Sequence, residues 1–140
     1  MKTKFVISIL FFFLLTACAG TGTKSTTYIP ELESNGSGQV FILRNSGFLG
    51  IASVFTVELN NISIGKLGNK EILTTQANNG ANTLTVKVTG IQGLGLNEPY
   101  YTFNASMNEN YYFIINLKAG ILTNKLEIVE VTESSFRQAR

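Results

Sequence analysis

The stretch that decides the fold class is Ile51-Ala52-Ser53-Val54-Phe55-Thr56-Val57-Glu58-Leu59-Asn60. Every second residue from Ile51 to Leu59 belongs to one face of an extended chain, and the residues between them belong to the other. This period of two is typical of a β-strand that buries one face in a core. The same alternation occurs at residues 83–89 and 111–118, so the chain is predicted to be β.

Weaker strand patterns fall at residues 40–43, 62–67, 71–75 and 100–105. The last pattern, at residues 125–132, changes phase between Ile128 and Val129, and a bulge or twist there is expected to keep both apolar pairs facing inward. Asn60-Asn61 suits a tight hairpin, and Asn79-Gly80 and Gly120 mark further turns. About eight strands in residues 39–140 predict an all-β fold, either an antiparallel sandwich or a small barrel. Only residues 134–140 resemble a helical turn, and that turn is expected to be polar.

The N-terminal residues have the composition of an export signal. Lys2 and Lys4 precede an apolar run at residues 5–15, which Ser8 alone interrupts. A membrane-spanning helix needs about 20 apolar residues, so this run is too short to be a stable transmembrane anchor. We interpret residues 1–17 as a signal peptide that is removed from the mature chain.

The only cysteine of the chain follows the apolar run directly. Leu15-Thr16-Ala17-Cys18 resembles the lipobox of bacterial lipoproteins, which implies cleavage between Ala17 and Cys18 by lipoprotein maturation enzymes. A thiol is the side chain best suited to attack a lipid glycerol carbon near neutral pH, and a small Ala17 gives the peptidase access. The alternative is ordinary signal cleavage after Ala17 or Ala19, which leaves the cysteine unmodified.

The resemblance implies that Cys18 carries a thioether-linked diacylglyceryl group and an acyl chain, such as palmitate, on its amine. Two or more acyl chains, at about 0.8 kcal/mol per buried methylene, hold a protein durably in the lipid bilayer. Ala19, in place of the Asp that retains lipoproteins in the inner membrane, favours the outer membrane with the domain facing the periplasm. The expected location is therefore the bacterial cell envelope.

Residues 18–38, which follow the signal peptide, are rich in Gly, Thr, Ser and Asn. Such a segment buries too little apolar surface to offset its ordering entropy, so we expect a lipidated, flexible linker. Its apolar island, residues 28–32, either docks on the domain or begins an edge strand. Removal of Lys2 and Lys4 leaves nine basic side chains against 9 acidic ones. The basic residues are spread among glutamates, which excludes nucleic acid as the expected partner.

The composition also limits the chemistry that the chain can perform. It contains no His and no Asp, and lipid consumes its single thiol, so a Ser-His-Asp triad, a Cys-His pair and a His-ligated metal site are excluded. Paired glutamates remain as possible acid–base groups, but they occur mostly at outward strand positions or beside lysines. We therefore expect a protein that is not an enzyme and has no metal or cofactor besides the lipid on Cys18.

Two features are candidates for binding. Ile91, Leu94 and Leu96 are apolar residues in a glycine-rich connection, and they either contact a partner or fold back over an open end of the sandwich. Tyr100 and Tyr112 fall in strands that we expect to be neighbours, so the two rings form an outward aromatic face for a sugar ring or a peptide. The alternative is that such aromatic pairs simply stabilise the sheet.

Short motifs follow one another in residues 39–132. They are VFILR at 40–44, VELNN at 57–61, IGKL at 64–67, Gly80 before Thr83-Leu84, and NYYF at 110–113. Their order resembles domain of unknown function 2846. This family comprises small β-rich bacterial proteins, many of them lipoproteins, and it has no established activity. The resemblance therefore implies a β fold and an envelope setting.

These observations predict a membrane-anchored envelope lipoprotein whose non-catalytic β-domain binds an envelope protein or a cell-wall component. The alternative is a carrier or binding module for a small apolar or carbohydrate ligand. A sandwich of this size that is filled by its own side chains has little room for a ligand, which favours the first function.

Overall fold

The computed structural model describes residues 38–45, 53–88, 96–120 and 124–140. These residues form eight β-strands and one helix, α1, at Glu133–Ala139. The strands are β1 (Gly38–Arg44), β2 (Phe55–Leu59), β3 (Ile62–Leu67), β4 (Ile72–Ala77), β5 (Gly80–Val88), β6 (Tyr100–Ala105), β7 (Asn110–Lys118) and β8 (Lys125–Val131). Among the described residues, no helix is long and apolar enough to span a bilayer.

The strands form two four-stranded sheets. Sheet A has the order β4-β1-β7-β8, and sheet B has the order β3-β2-β5-β6. The predicted all-β sandwich is confirmed. All strand pairs are antiparallel except β1 with β7, which are parallel. These two strands are far apart in the chain, so no tight turn forces them to run in opposite directions.

The inward faces of both sheets build one hydrophobic core, and the predicted alternation supplies it. Phe55, Val57 and Leu59 of β2 are at most 1% exposed. Phe113 and Ile115 of β7 face them from sheet A and are fully buried. Each such side chain contributes about 1.5–3 kcal/mol of burial free energy, so the two facing rows hold the sheets together.

A bulge changes the phase of β3. Val57 pairs with Gly65, and the next residue, Glu58, pairs with Ser63, so Ile64 is an extra residue on this strand. The bulge allows Ile64 and Leu67, three positions apart, both to be buried in the core. Gly65 has φ 154°, where glycine carries no steric cost.

The bulge or twist expected in β8 does not occur. The register of β7 with β8 continues without a shift from Tyr112↔Val131 to Lys118↔Lys125. Leu126 and Ile128 face the core, whereas Val131 faces outward. The prediction was wrong because α1 covers the outer face of sheet A, so apolar side chains in both phases of β8 find apolar surroundings.

Helix α1 is also more than the polar turn expected at this end. Its cap is Thr132, whose side chain accepts a hydrogen bond from Ser135 N at 3.3 Å. Glu133 and Arg137 form an i,i+4 ion pair at 2.5 Å on the exposed side. Phe136 is 5% exposed and packs on sheet A with its ring centroid 5.3 Å from that of Tyr112.

The predicted turns have two different roles. Asn60 and Asn61 have φ values of 54° and 65°, as a tight hairpin between β2 and β3 requires. Asn79-Gly80, by contrast, connects β4 of sheet A to β5 of sheet B. Asn82 is 2% exposed, and its side-chain oxygen Oδ1 accepts hydrogen bonds from Asn60 Nδ2 at 2.9 Å and from Asn78 N at 3.1 Å. Asn82 therefore links the β2–β3 hairpin to the connection between β4 and β5.

The first described residue marks one end of the sandwich, which we call the entry pole. Gly38 pairs with the end of β4, and the next residue, Gln39, donates from its amide to Glu109 O at 2.9 Å. The link between β6 and β7 therefore lies at this pole. A Cβ atom at Gly38 would lie 2.9 Å from the Tyr111 ring and 3.0 Å from Ser106 O, so any larger residue would force the ring and the neighbouring backbone to shift. The domain therefore begins, at Gly38, at this pole.

Candidate functional site: the outer face of sheet B

Several predicted site residues lie outside the described residues. They are Ala17 and Cys18 of the lipobox and Ile91 and Leu94 of the glycine-rich connection. Lipidation, signal cleavage and the partner role of the connection therefore stay predictions.

The structure does not bring Tyr100 and Tyr112 together. β6 and β7 follow one another in the chain but belong to different sheets, so the two rings lie on opposite outer faces of the sandwich. Tyr112 stacks on Phe41 at 5.1 Å between ring centroids and also contacts Phe136. The expectation that these strands are neighbours was wrong, and Tyr112 is a packing residue beneath α1. Tyr100 alone, at 74% exposed, offers its ring to solvent.

Leu96 and Asn97 connect the end of the glycine-rich segment to the sandwich. Leu96 is half-buried and packs against the core. The Asn97 side chain donates to Leu126 O at 3.0 Å and accepts from Leu126 N at 2.8 Å, as a paired strand would. Leu96 is therefore a core contact, and this end of the connection is bound to the edge strand β8.

Sheet B presents a polar outer face on β2, β5 and β6. Strand register places Thr85 between Glu58 and Tyr100, and it places Thr83 opposite Thr102. Hydroxyl side chains predominate, and Tyr100 is the single aromatic ring. We call this surface the threonine–tyrosine face; it comprises Thr56, Glu58, Ala81, Thr83, Thr85, Lys87, Tyr100, Thr102 and Asn104.

The charges on this face are paired. Lys87 Nζ lies 2.8 Å from one Glu58 carboxylate oxygen and 2.9 Å from the other. This hydrogen bond is the main reason that the pKa of Lys87 is raised, and the charge of Glu98 adds to the effect. The threonine–tyrosine face therefore carries an internal ion pair with no charge excess, and its exposed donors and acceptors are mostly uncharged.

Arg44 is a buried residue that the sequence patterns did not single out. Its guanidinium Nη1 donates to Ser53 O and, at 3.2 Å, to Leu67 O, and it lies 3.9 Å from the Phe55 ring centroid. Burial lowers the pKa of Arg44, and the charge of Glu71 partly opposes this effect. The sequence could have predicted its burial, because Arg44 follows Val40 and Ile42 at the same two-residue spacing and so belongs to the inward face of β1. The residue joins strand ends of both sheets at the pole opposite the entry.

Five of the described glutamates have a side-chain partner. Glu58, Glu127 and Glu133 each form an ion pair with a basic side chain. Glu109 accepts from the Tyr111 hydroxyl at 2.8 Å, and Glu130 accepts from the Tyr101 hydroxyl at 3.0 Å. Within the part of the chain that the structure describes, no group of three or more His, Cys, Asp or Glu side chains could hold a metal ion.

Comparison of the chain with known protein families, with curated proteins and with solved structures finds no match in any of the three. The resemblance to domain of unknown function 2846 therefore stays a prediction.

Proposed function

We propose that this chain is a bacterial envelope lipoprotein, anchored in the membrane through Cys18, whose non-catalytic β-domain binds an envelope protein or a cell-wall component. The observation that carries the binding role is the threonine–tyrosine face, a rigid sheet surface whose Tyr100 ring is 74% exposed. Large aromatic side chains are costly to leave in water and are enriched where proteins bind ligands or partners.

The path of the chain supports this arrangement. Residues 19–37 separate Cys18 from Gly38, and a coil of about this length has a mean reach of roughly 25 Å. Gly38, to which the linker is bonded, lies at the entry pole, so the point of attachment is at one end of the sandwich and not on either outer face. A lipid on Cys18 would thus leave the threonine–tyrosine face free to meet a partner.

A binding module for a carbohydrate is the second candidate function, and the same face favours it. A carrier that holds its ligand between the sheets is less well supported. The inter-sheet space near β6 and β7 is occupied by aromatic rings, since Phe103 lies 5.0 Å from Phe113 and 5.3 Å from Tyr111 between ring centroids. Tyr101 lies 5.5 Å from Phe113 by the same measure. Binding on the outer surface is therefore favoured over binding inside.

Mass spectrometry of the processed chain tests the anchor. The full chain, expressed in a Gram-negative bacterium with a C-terminal tag, is expected to begin at a Cys18 that carries diacylglyceryl and acyl masses and to fractionate with the outer membrane. Cys18→Ser, the matched control, is expected to retain residues 1–17 and to lack the lipid mass. A bare thiol on the wild-type chain, or a start after Ala19, would contradict the proposal.

Site-specific crosslinking in intact cells tests the binding role. A photoreactive amino acid at Thr102 is expected to trap one identifiable envelope protein or a cell-wall fragment. The same group at Gln76, which is exposed on the outer face of sheet A, is the control and is expected to trap none. Equal, nonspecific products at both positions would speak against a binding role for sheet B.

A further inference from the structure

We infer that the threonine–tyrosine face binds an uncharged glycan strand, with the Tyr100 ring stacking on a sugar ring. This inference rests on the proposed function and specifies the chemistry of the cell-wall component. It comes from three properties of the face, which are its single exposed ring, its rows of hydroxyl groups and its balanced charge.

Among the described residues the exposed Tyr100 ring is isolated, and this isolation favours a glycan over a lipid surface or an obligate protein partner. Tyr100 and Met107 are the large hydrophobic residues that are exposed among those described, at 74% and 54%. Tyr100 begins β6, whereas Met107 follows its end, so the two do not form one patch. Obligate protein interfaces and membrane contacts bury a contiguous apolar surface, which these two residues do not provide. One flat ring among polar groups instead suits a sugar, which has an apolar face and a polar rim.

The hydroxyl rows supply hydrogen bonds around that ring. Thr85 lies directly opposite Tyr100 on the neighbouring strand, and Thr102 pairs with Thr83. Each threonine hydroxyl both donates and accepts, which matches the hydroxyl groups of a sugar. Neighbouring strands are about 4.8 Å apart, so the row Tyr100–Thr85–Glu58 spans roughly 10 Å across the sheet. A row of this width can contact linked sugar rings rather than one alone.

The balance of charge determines the class of glycan. Lys87 is neutralised by Glu58 at 2.8 Å, and the next charges, Glu98 and the exposed Lys66 of edge strand β3, are opposite in sign. A strongly anionic ligand such as a nucleic acid or an acidic lipid surface requires a cationic excess. A face without such an excess fits an uncharged chain.

The face is also ordered before binding. Tyr100 lies at the start of a paired strand, and the preceding Pro99 O accepts from Val86 N at 3.1 Å. Side chains held on a sheet lose less conformational entropy on binding than side chains on a free loop. The arrangement therefore favours a ligand whose own contacts are individually weak, as those of sugars are.

Binding of a defined glycan tests the inference. The full chain, purified in detergent, is titrated by calorimetry with the uncharged tetramer of β-1,4-linked N-acetylglucosamine. We expect saturable binding by the wild type, a loss of at least tenfold in affinity for Tyr100→Ala, and near-wild-type affinity for Tyr100→Phe, which keeps the ring. Gln76→Ala and Met107→Ala are matched exposed controls and are expected to bind like the wild type.

The outcomes separate this inference from the proposed function. Because Tyr100 is mostly exposed, Tyr100→Ala is expected to keep the wild-type melting temperature, which shows that the variant is folded. No binding by the wild type, or equal affinity for Tyr100→Ala and the wild type, would overturn the inference. If the glycan does not bind, but Cys18 is lipidated and the crosslinker at Thr102 traps an envelope protein, the proposed function stands and only the glycan inference is lost. If the chain binds the glycan but Cys18 carries no lipid, the glycan inference stands and the proposed lipid anchor falls.

Discussion

The outer faces of the two sheets differ in what covers them. On sheet A, Phe136 of α1 packs against Leu43 and Ile114, which are at most 7% exposed. On sheet B, the corresponding positions carry hydroxyl groups and an ion pair, and no described element packs on them. Both sheets have four strands, and their outer faces differ in the side chains that they carry.

This contrast indicates that the outer face of sheet A contributes to stability and that the outer face of sheet B is available for binding. The outward residues of sheet A form a second hydrophobic cluster that only a covering element can bury, and α1 supplies that element. The outward residues of sheet B, apart from the Tyr100 ring, are polar or small and can face water without an element packed on them. Mutations on sheet A should therefore change the free energy of unfolding, whereas mutations on sheet B should change binding.

The largest expected effect is that of Phe136→Ala. It removes the one buried side chain of α1, and the loss of a buried Phe costs roughly 3 kcal/mol of unfolding free energy. Tyr100→Ala on sheet B is the matched aromatic control and is expected to stay within about 0.5 kcal/mol of the wild type. Urea unfolding of both variants measures the difference. Equal losses would show that the two faces are not distinct in stability.

A smaller effect is expected at the start of α1. Thr132→Ala removes the cap that accepts from Ser135 N, which costs about 1 kcal/mol. Thr102→Ala changes the same residue type on the threonine–tyrosine face and should cost less than about 0.5 kcal/mol. Thermal unfolding should show a drop of several degrees for Thr132→Ala alone. A similar drop for Thr102→Ala would mean that the face on sheet B also carries stability.

High pH should weaken the contact between the edges of the two sheets. The hydrogen bond to Glu130 is the main reason that the pKa of Tyr101 is raised. This stabilisation is fully present below the unfolded tyrosine pKa of about 10 and is lost as pH rises through the higher folded pKa. The wild type should therefore lose more stability than Tyr101→Phe between pH 9 and 11, measured by urea midpoints. Equal losses of stability in the wild type and in Tyr101→Phe would show that the hydrogen bond between Tyr101 and Glu130 does not stabilise the fold.

The smallest effect is expected for the ion pair on the threonine–tyrosine face. Lys87 has a raised pKa, chiefly through its hydrogen bond to Glu58, so any stabilisation is present below the unfolded lysine pKa and fades as pH rises through the folded value. The pair lies at the surface, where solvent screens it. Lys87→Gln should therefore leave the melting temperature within replicate scatter. A drop that vanishes in high salt would show a stronger pair than its exposure implies.

The clear alternation of apolar residues was sufficient to predict β2, β5 and β7 and their inward faces. Phe55, Val57 and Leu59 are buried as their period of two requires, and Asn60-Asn61 forms the expected turn. Local pattern is enough here because burial of one face and a left-handed turn are both short-range properties.

The pairing of strands could not be predicted in the same way. The adjacency expected for Tyr100 and Tyr112 assumed that consecutive strands pair, but β7 pairs with β1 and β8. Which strands meet depends on contacts between distant parts of the chain. The role of Phe136 was missed for a related reason. A single apolar residue in a short polar segment forms no repeating pattern, and its burial becomes visible only where α1 packs on sheet A.

The most direct test of the central claim is an NMR titration of the isotopically labelled full chain in detergent micelles with the N-acetylglucosamine tetramer. The account predicts that methyl signals of Thr83, Thr85 and Thr102 and ring signals of Tyr100 shift together and saturate at one ligand concentration. Signals of Phe136 and of its neighbours on sheet A should not move. Shifts centred on α1, or no shifts on β5 and β6 at saturating ligand, would contradict the claim that the uncovered sheet is the binding surface.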